Sequence, residues 1–421
     1  MAAVAAPQTW VGPSTTRQRV MGIVFLFLAF SIWWLFGRTA NGEQVTVFNL
    51  TPGASTVIVP DWQLPTLSTL YVLAMVSAVL GGVQLARGFG RWTNRVLGLV
   101  AGLFIFGFLV WAAAGKSLNL AGLINTSLSR AVPLTLGALS GVLCERAGVV
   151  NIAIEGMMLM GAMVGSLVGS VTHSLWLGLL AAVLSGLVLS LIHGVLSIKY
   201  KTNQIISGTV INILATGMTS YISAQFLQRH QELNNPGIFQ PWAVPGLSRI
   251  PLLGPLLFDN NMFVYAMFLL LAVIHVGLFF TRWGLRLRSV GEHPKAADTL
   301  GINVFRTRYM AVMLGGMMAG FAGGYFTLGS VGRFDEVMTA GRGFISLAAM
   351  IFGNWTPFGS FGAGLLFGFA DSLASKLAIL GVQIPSQFLL MAPYVATMVV
   401  LAGVVGRGQM PAADGVAYEK E

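Results

Sequence analysis

The sequence predicts an all-α, polytopic membrane protein with roughly 10–12 transmembrane helices. Only 9% of the 421 residues are charged and 55% are hydrophobic, whereas a soluble domain carries about 25% charged residues. Lipid therefore has to be the outer solvent. The apolar stretches are long and continuous and do not alternate at period two. The backbone groups must then be satisfied inside helices and not between the strands of a barrel.

The candidate spans are runs close to the ~20 apolar residues that cross a bilayer as a helix. Two of them, 131–144 and 342–356, are short for a complete crossing, which suggests broken or re-entrant segments. The candidates are 20–36, 68–86, 96–114, 131–144, 152–170, 176–198, 204–226, 263–281, 307–329, 342–356, 360–380 and 388–406.

The basic residues predict the orientation of the chain. The formal net charge is +10, but the basic residues flank apolar runs, so the charge does not indicate a nucleic-acid partner. With the N-terminus inside, 16 of the 24 lysines and arginines fall on the inner side. This bias predicts an even number of spans and two cytoplasmic termini. The run after Arg17 and Arg19 lacks a small-residue cleavage site and is expected to be a retained first span.

Segments outside the spans differ in character. Segments 37–67 and 227–262 lie on the outer side, and the five prolines of the second predict an irregular loop instead of a helix. The inner segment 282–308 contains six basic residues. The polar tail from Gln409 is expected to be disordered.

Glycines spaced by four follow two of the spans. Such a stripe allows two helices to approach closely and to pack by van der Waals contact. Two interpretations stay open: tight packing of an ordinary kind, or a duplicated half of the chain that would form an inverted internal repeat. The stripes are Gly161, Gly165 and Gly169, and Gly316, Gly320 and Gly324.

Several kinds of catalytic site lack their residues. The five histidines are never at metal-ligand spacing, Cys144 is the single cysteine, and no nucleophile elbow occurs. Gly115, Lys116 and Ser117 resemble the end of a phosphate-binding loop, but Val110 stands where its first glycine is required. We therefore expect no catalytic residue, no metal and no cofactor, and any ATP to be used by another chain.

A polar motif joins two of the spans. It runs from Glu145 to Gly156 and places Arg146, Asn151 and Glu155 beside the membrane. These groups are costly in lipid unless they face protein or water. The motif is either a loop whose charges reach the inner surface or a broken segment that lines a pathway.

A short helix is predicted within the basic inner segment. Pro294 suits a first helical turn, Ala296 and Ala297 favour helix, and Gly301 suits a C-terminal stop. A short rigid helix can dock into a partner and transmit the partner's movement to the membrane helices. The alternative is an ordinary basic loop.

Two further motifs carry amide and aromatic side chains. Asn203–Asn212 opens a span, and its amides either bond neighbouring helices or contact a solute. Gly353–Gly364 predicts a tight loop between helices, in which Asn354 and Trp355 touch a solute or anchor at the membrane interface.

Together, these motifs resemble the permease subunits of bacterial ABC importers, in the group that includes the branched-chain amino acid, ribose and nucleoside permeases. Within the first motif, Ala147–Ile152 followed by Glu155 is most similar to the nucleoside (guanosine-type) and simple-sugar permeases. The strings that carry the resemblance are Glu145–Gly161, Asn203–Asn212, Gly284–Ile302 and Phe352–Gly364.

The resemblance implies a transport function without chemistry in this chain. It implies ATP-driven import of nucleosides, with purine nucleosides expected, by alternating access. Simple sugars and branched-chain amino acids are the alternative substrates. A secondary transporter driven by an ion gradient is disfavoured, because the predicted spans hold few ionisable residues apart from Asp371 and Lys376.

The resemblance also implies partners and a division of the chain. An ABC ATPase subunit, a second permease subunit, identical or homologous, and an extracytoplasmic substrate-binding lipoprotein would assemble with it in the bacterial inner membrane, in contact with lipid. Residues 1–130 would form an N-terminal cytoplasmic tail and accessory spans, 131–406 the core permease domain, and 407–421 a cytoplasmic tail.

Two sets of site residues are expected. The resemblance equates Gly284–Ile302 with the coupling helix that docks on the ATPase. A pathway for nucleosides would need amides for the ribose and base edges and aromatic rings for the base face. The coupling residues are Glu292, Pro294, Ala296, Ala297 and Gly301, and the pathway residues are Asn151, Glu155, Asn212, Phe326, Asn354 and Trp355.

Overall fold

The computed structural model describes residues 15–51, 58–381, 388, 391 and 410–420. The chain divides into two compact units, each considered by itself. The first comprises Met1–Gly122 with Lys376–Gln383, and the second comprises Leu123–Ser375 with Ile384–Glu421. The division expected between residues 130 and 131 falls inside a helix that begins at Leu120. The assignment of accessory and core parts stays a prediction.

Three apolar helices and a small sheet form the first unit. The helices are α1 (Thr15–Ser31), α2 (Thr66–Ala86) and α3 (Thr93–Ala112), and α1 continues as π-helical turns over Ile32–Gly37. The strands are β1 (Val45–Asn49), β2 (Trp62–Pro65) and β3 (Ser117–Asn119). They lie in the order β2-β1-β3, with β1 antiparallel to β2 and parallel to β3.

A buried threonine ties this sheet to the helices. The Thr46 hydroxyl on β1 lies 2.9 Å from the Thr66 hydroxyl on α2 and donates to the Val110 carbonyl on α3 at 2.8 Å. Phe48 on the same strand is fully buried. Segment 37–67, which is predicted to lie on the outer side, thus contains strands that were not predicted, because four or five residues give too short an alternation to recognise.

The second unit is almost entirely helical, and the all-α fold class is confirmed. Helices of this unit continue as π-helical turns over Val195–Lys199, Ser223–Leu227 and Tyr325–Val331. The helices are α4 (Leu120–Glu145), α5 (Ile154–Thr172), α6 (Leu175–Gly194), α7 (Gln204–Ile222), α8 (Leu253–Leu257), α9 (Met262–Phe280), α10 (Arg282–Glu292), α11 (Pro294–Thr299), α12 (Val304–Gly324), α13 (Arg342–Phe352) and α14 (Pro357–Ile379).

Ten helices in the described part of the chain are long and apolar enough to cross a bilayer. The predicted span 131–144 is not a short segment, because it belongs to α4, whose 26 residues rise about 39 Å. By contrast, the 11 residues of α13 rise about 16 Å, roughly half the thickness of the hydrocarbon core. The segment 342–356 is therefore not a complete span. The predicted span 388–406 lies outside the described residues except for Phe388 and Met391.

Glycines bring three helices of the second unit into backbone contact. A β-carbon on Gly161 of α5 would lie 2.6 Å from the Gly320 carbonyl oxygen of α12, and one on Gly186 of α6 would lie 2.2 Å from that of Gly316. Separations this short exclude any side chain. Tight packing accounts for both stripes, and the inverted repeat stays a prediction.

The segments between the long helices correct two expectations. Segment 227–262 is mostly irregular, as its prolines predicted, but it includes the short helix α8 and the two-residue strands β4 (Trp242–Ala243) and β5 (Asp259–Asn260). The tail expected to be disordered is folded over 410–420, where Ala413, Asp414 and Tyr418 are buried. Buried contacts against α10 and α12 stabilise this segment, although its polar composition predicts disorder.

Candidate functional site

Glu155 fixes the beginning of the half-length helix α13. It lies in the first turn of α5 and is 7% exposed. Its carboxylate accepts hydrogen bonds from the Thr339 hydroxyl at 2.6 Å and from the backbone nitrogens of Gly341 at 2.8 Å and of Gly343. The first nitrogens of a helix lack partners within the helix, and negative charge is favourable there. The carboxylate therefore acts as an anchor between α5 and α13.

Two asparagines hold the connection between α4 and α5. Asn212 of α7 accepts a hydrogen bond from the Gly156 nitrogen at 2.8 Å and donates one to the Ile152 carbonyl at 2.9 Å. Asn151 is fully buried, and its oxygen accepts from the Ala153 nitrogen at 3.1 Å. Both ends of the Asn212 amide thus bond the protein backbone, which is the interhelical alternative left open by the sequence.

Trp355 and Asn354 lie in the four-residue connection between α13 and α14. The Trp355 indole nitrogen donates to a Glu145 carboxylate oxygen at 2.6 Å. Arg146 donates from Nε to the Trp355 carbonyl at 2.9 Å and from Nη2 to the Asn354 carbonyl at 3.3 Å. Trp355 is 6% exposed. The predicted tight loop is confirmed, and it is attached to the end of α4.

Phe326 lies close to the start of α13. It belongs to the π-helical turns that follow α12 and is buried. The guanidinium carbon of Arg342 lies 5.7 Å from the centre of its ring, within cation–π range. The role of the six predicted pathway residues as pathway lining stays a prediction.

A group of charged side chains that the sequence did not reveal lies beside Phe326. The Asp371 carboxylate of α14 pairs with Arg130 of α4 at 2.9 Å and lies 3.8 Å from Arg342 at the start of α13. Arg130 also donates to the Asp371 carbonyl at 2.7 Å. We call these three residues the ionic triad.

The sequence did not predict the triad because the predicted span 131–144 covers only the second part of α4. Polar residues from Asn125 to Arg130 lower the local hydropathy, so the sequence predicts a span that begins at residue 131 and leaves Arg130 outside it. In the structure Arg130 lies ten residues inside α4. The apolar stretch before Asn125 indicates that the helix begins earlier in the sequence.

Helix α11 has the form that the sequence predicted. Pro294 is its first residue, and the His293 side chain caps it by accepting from the Ala296 nitrogen at 3.3 Å. Gly301 follows the helix with φ +80°, a conformation that favours glycine. Ala297 is 2% exposed and anchors the helix to its neighbours. The exposed side of this short helix carries Lys295, Ala296 and Thr299.

Glu292 ends α10 immediately before α11. Its carboxylate accepts a hydrogen bond from the backbone nitrogen of Ala412, in the folded C-terminal segment, at 3.2 Å. Glu292 therefore connects the predicted coupling segment to the end of the chain.

Comparison with known proteins agrees with this architecture. Residues 123–405 match the family described as the permease component of branched-chain amino acid transport systems. The guanosine ABC transporter permease protein NupQ of Bacillus subtilis is 42% identical over 307 residues, which cover 71% of this chain and 96% of the relative. The nucleoside ABC transporter permease protein NupC of Lactococcus lactis is 40% identical over 311 residues, with the same two coverages.

A putative glucose ABC transporter permease protein of Haloferax volcanii is 36% identical over 253 residues, which cover 60% of this chain and 77% of the relative. No solved structure matches the chain. The resemblance to ABC importer permeases is thus confirmed over the second unit. This multi-pass membrane protein belongs to the family of branched-chain amino acid transport system permease components.

Proposed function

We propose that the chain is the membrane subunit of an ATP-driven importer of nucleosides, with purine nucleosides as the expected substrates. The observation that carries the proposal is the similarity to permeases named for guanosine and for nucleosides, which extends over 96% of each relative. Branched-chain amino acids appear in the family description, but two relatives at 42% and 40% identity are named for guanosine and for nucleosides.

The energy for import comes from a separate ATPase chain. The sequence lacks a complete phosphate-binding loop, and Val110 occupies the position of its first glycine. Helix α11, with Pro294 at its start and Gly301 after its end, supplies a capped element that an ATPase can push. In this proposal the chain catalyses no covalent step, needs no cofactor of its own, and carries the coupling residues on and around α11.

The proposal includes the remaining components and the orientation. A second permease subunit completes the pathway, and an extracytoplasmic lipoprotein delivers the substrate. The excess of basic residues on the α11 side supports a cytoplasmic position for α11 and for both termini in a bacterial inner membrane. Residues 1–130 contribute accessory helices, 131–406 the core, and 407–421 a cytoplasmic segment.

The predicted pathway residues take two roles in this proposal. Phe326 offers an aromatic surface near the ionic triad and suits contact with a base. The others act indirectly, because their hydrogen bonds hold α5, α7 and α13 in the positions that shape the pathway. They are Asn151, Glu155, Asn212, Asn354 and Trp355.

Reconstitution tests the function directly. The chain is co-expressed with its ATPase, partner permease and binding protein, and placed in proteoliposomes that contain ATP. We expect uptake of labelled guanosine that requires both ATP and the binding protein. Uptake by this chain alone, or uptake driven by an ion gradient, would contradict the proposal. Glucose is the sugar to test, because one relative is named for glucose. Uptake of glucose that guanosine does not inhibit would favour the simple-sugar alternative.

A further inference from the structure

The ionic triad of Arg130, Arg342 and Asp371 lies where charges are costly. Arg130 is ten residues from the start of α4 and Asp371 is eight residues from the end of α14. These positions are about 12–15 Å along the helices, close to half of the ~30 Å hydrocarbon core. Ionisable side chains at this depth are rare, and they face protein or water instead of lipid.

The triad is not sealed inside the unit. The side chains of Arg130 and Asp371 are each 30% exposed, and that of Arg342 is 32% exposed. Hydrocarbon cannot solvate these groups. Their exposed parts must therefore meet water or a polar molecule, and the aromatic ring of Phe326 lies beneath the Arg342 guanidinium.

We propose that the triad contacts the transported solute and selects a neutral, planar molecule that carries both hydrogen-bond donors and acceptors. The proposal rests on the import function proposed above. Asp371 accepts from hydroxyl or N–H groups, and the two arginines donate to carbonyl oxygens. Two guanidinium groups and one carboxylate give the triad a net charge of +1, and the Glu155 carboxylate, bonded to the residues on either side of Arg342, brings the local sum to zero. The site therefore suits a solute without charge, such as a nucleoside.

Thiol accessibility tests the site independently of transport. Asp371→Cys and Arg342→Cys are each treated with a charged, membrane-impermeant thiol reagent, with and without guanosine. The native Cys144 is buried and gives a low background. Val276→Cys on α9 is the control, because Val276 is 51% exposed on a helix without Asp, Glu, Lys or Arg and is expected to face lipid. Two different positions report on the site, so poor folding of one variant does not prevent a decision.

We expect both triad cysteines to react at least about tenfold faster than Val276→Cys, and guanosine to slow their reaction. Triad cysteines that do not react, or that react without protection by guanosine, would overturn the proposal. In the reconstituted importer, Asp371→Asn should lower guanosine uptake about tenfold, whereas Lys376→Gln on the same helix should leave it unchanged. Wild-type protein that imports no guanosine would instead disprove the import function, whatever the accessibility of the triad.

A different set of contacts concerns residues 410–420, called the tail below. The Ala413 nitrogen donates to the Gly291 carbonyl of α10 at 2.9 Å, and a β-carbon on Gly148 would lie 2.9 Å from the Ala413 carbonyl oxygen. Arg308 of α12 donates to the Val416 carbonyl at 2.9 Å. The tail is therefore fixed through its backbone to α10, α12 and the connection that follows α4.

Side chains fix the tail at two further places. The Tyr418 ring lies 5.4 Å from that of Phe305 and is buried in a cluster with Ala297 of α11. Asp414 is buried beside Glu145, the last residue of α4. One short segment thus touches both the predicted coupling helix and the end of a membrane span.

We infer that the tail transmits the movement of α11 to α4, and from there through Glu145 and Trp355 to the connection between α13 and α14. This second inference also rests on the proposed import function. The tail packs against Ala297 of α11 in one buried cluster, the Ala413 carbonyl lies against Gly148 just after Glu145, and Trp355 donates a hydrogen bond to Glu145. Transmission through the tail has to be measured as coupling, because contact alone does not establish it.

The ratio of guanosine imported to ATP hydrolysed in the reconstituted importer measures this coupling. Tyr418→Ala removes the buried ring, Tyr418→Phe retains it, and Val416→Ala alters a side chain that is 54% exposed. We expect Tyr418→Ala to bind the ATPase and hydrolyse ATP but to import at least about fivefold less guanosine per ATP. The Phe and Val416 variants should keep the wild-type ratio. An unchanged ratio in Tyr418→Ala would overturn the inference, whereas absence of wild-type uptake would disprove the import function.

If Tyr418→Ala does not assemble with the ATPase, a distance measurement tests the same inference. Probes are attached to cysteines at Val416 in the tail and at Leu300, which is 81% exposed beside α11. If the tail and α11 move as one body, the distance between the probes stays constant when ATP binds. A tail that separates from α11 would overturn the inference.

Discussion

The indole nitrogen of Trp355 and the carboxylate of Glu145 form a 2.6 Å hydrogen bond between the connection that follows α13 and the end of α4. Both residues are buried, at 6% and 5% exposure. A buried carboxylate that loses its donor bears the full cost of desolvation. This contact therefore holds the C-terminal end of the half-length helix α13 against the end of α4.

Trp355→Phe should destabilise the protein by about 1–3 kcal/mol, because it keeps a ring but removes the donor to Glu145. The measurement is thermal unfolding of the purified protein in detergent, where we expect a lower melting temperature. Trp176→Phe is the matched control, since Trp176 is 64% exposed. Equal melting temperatures for Trp355→Phe and the wild type would contradict the structural role of this bond.

Glu155→Gln should loosen the start of α13. The carboxylate accepts three hydrogen bonds on two oxygens, and an amide would turn one acceptor into a donor that faces backbone N–H groups. Hydrogen exchange of the amides in 341–347 should become faster, with a loss of uptake in the reconstituted importer. The exposed Glu336→Gln serves as the control. Exchange as slow as in the wild type would show that the carboxylate does not hold this helix.

Gly320→Ala should disrupt the packing of α6 and α12. Its β-carbon would lie 2.3 Å from the Ala182 carbonyl oxygen, so one backbone has to move. We expect a cost of about 1–3 kcal/mol, typical of overpacking, read as reduced thermal stability. Gly217→Ala on α7 meets nothing within 4 Å and should be neutral or slightly stabilising, because alanine favours helix. Equal effects of the two substitutions would argue against the close approach.

Docking of the tail should weaken as the pH rises. Burial, together with the neighbouring Glu145 carboxylate, raises the pKa of Asp414 to about 9, whereas Arg308 opposes this shift. The docked tail therefore retains a proton that a free tail releases above its ordinary pKa of 3.8. Between these two pKa values the docking equilibrium should fall by at most about tenfold per pH unit, and it should level off above pH 9.

The mobility of a probe on Val416→Cys between pH 6 and pH 9 measures this effect. Asp414→Asn imitates the protonated carboxyl group and should remove the pH dependence. Docking that strengthens with pH in the wild-type tail would be incompatible with a buried, protonated Asp414.

Much of the fold could be predicted because apolar runs of full length have few alternatives to membrane helices. The capped helix α11 was equally accessible, since Pro294 and Gly301 act through local backbone geometry. Contacts between distant segments were not accessible. The roles of Glu155 and Asn212 depend on which backbone groups lie opposite them, and Thr339 is 184 residues away from Glu155.

The sequence did not predict the packing of the tail or the ionic triad, for two different reasons. The tail is polar in composition, but Ala413 and Tyr418 are buried because α10 and α12 provide a surface for them. Arg130 interrupts an apolar run, so the sequence predicts that the span begins after it, whereas pairing with Asp371 allows Arg130 to lie inside the span. A pairing of this kind becomes visible only when the helices are placed side by side.

The glycine contacts among α5, α6 and α12 have a mechanical consequence. The backbone of Gly161 touches that of Gly320, and the backbone of Gly186 touches that of Gly316. At these contacts no side chain is present that could change rotamer and absorb a displacement. Sliding or turning of one helix against another would force main-chain atoms into each other. These three helices should therefore travel as a single stiff body during a transport cycle. The hinges that open each side of the pathway to water have to lie at the ends of this body and in the helices around it.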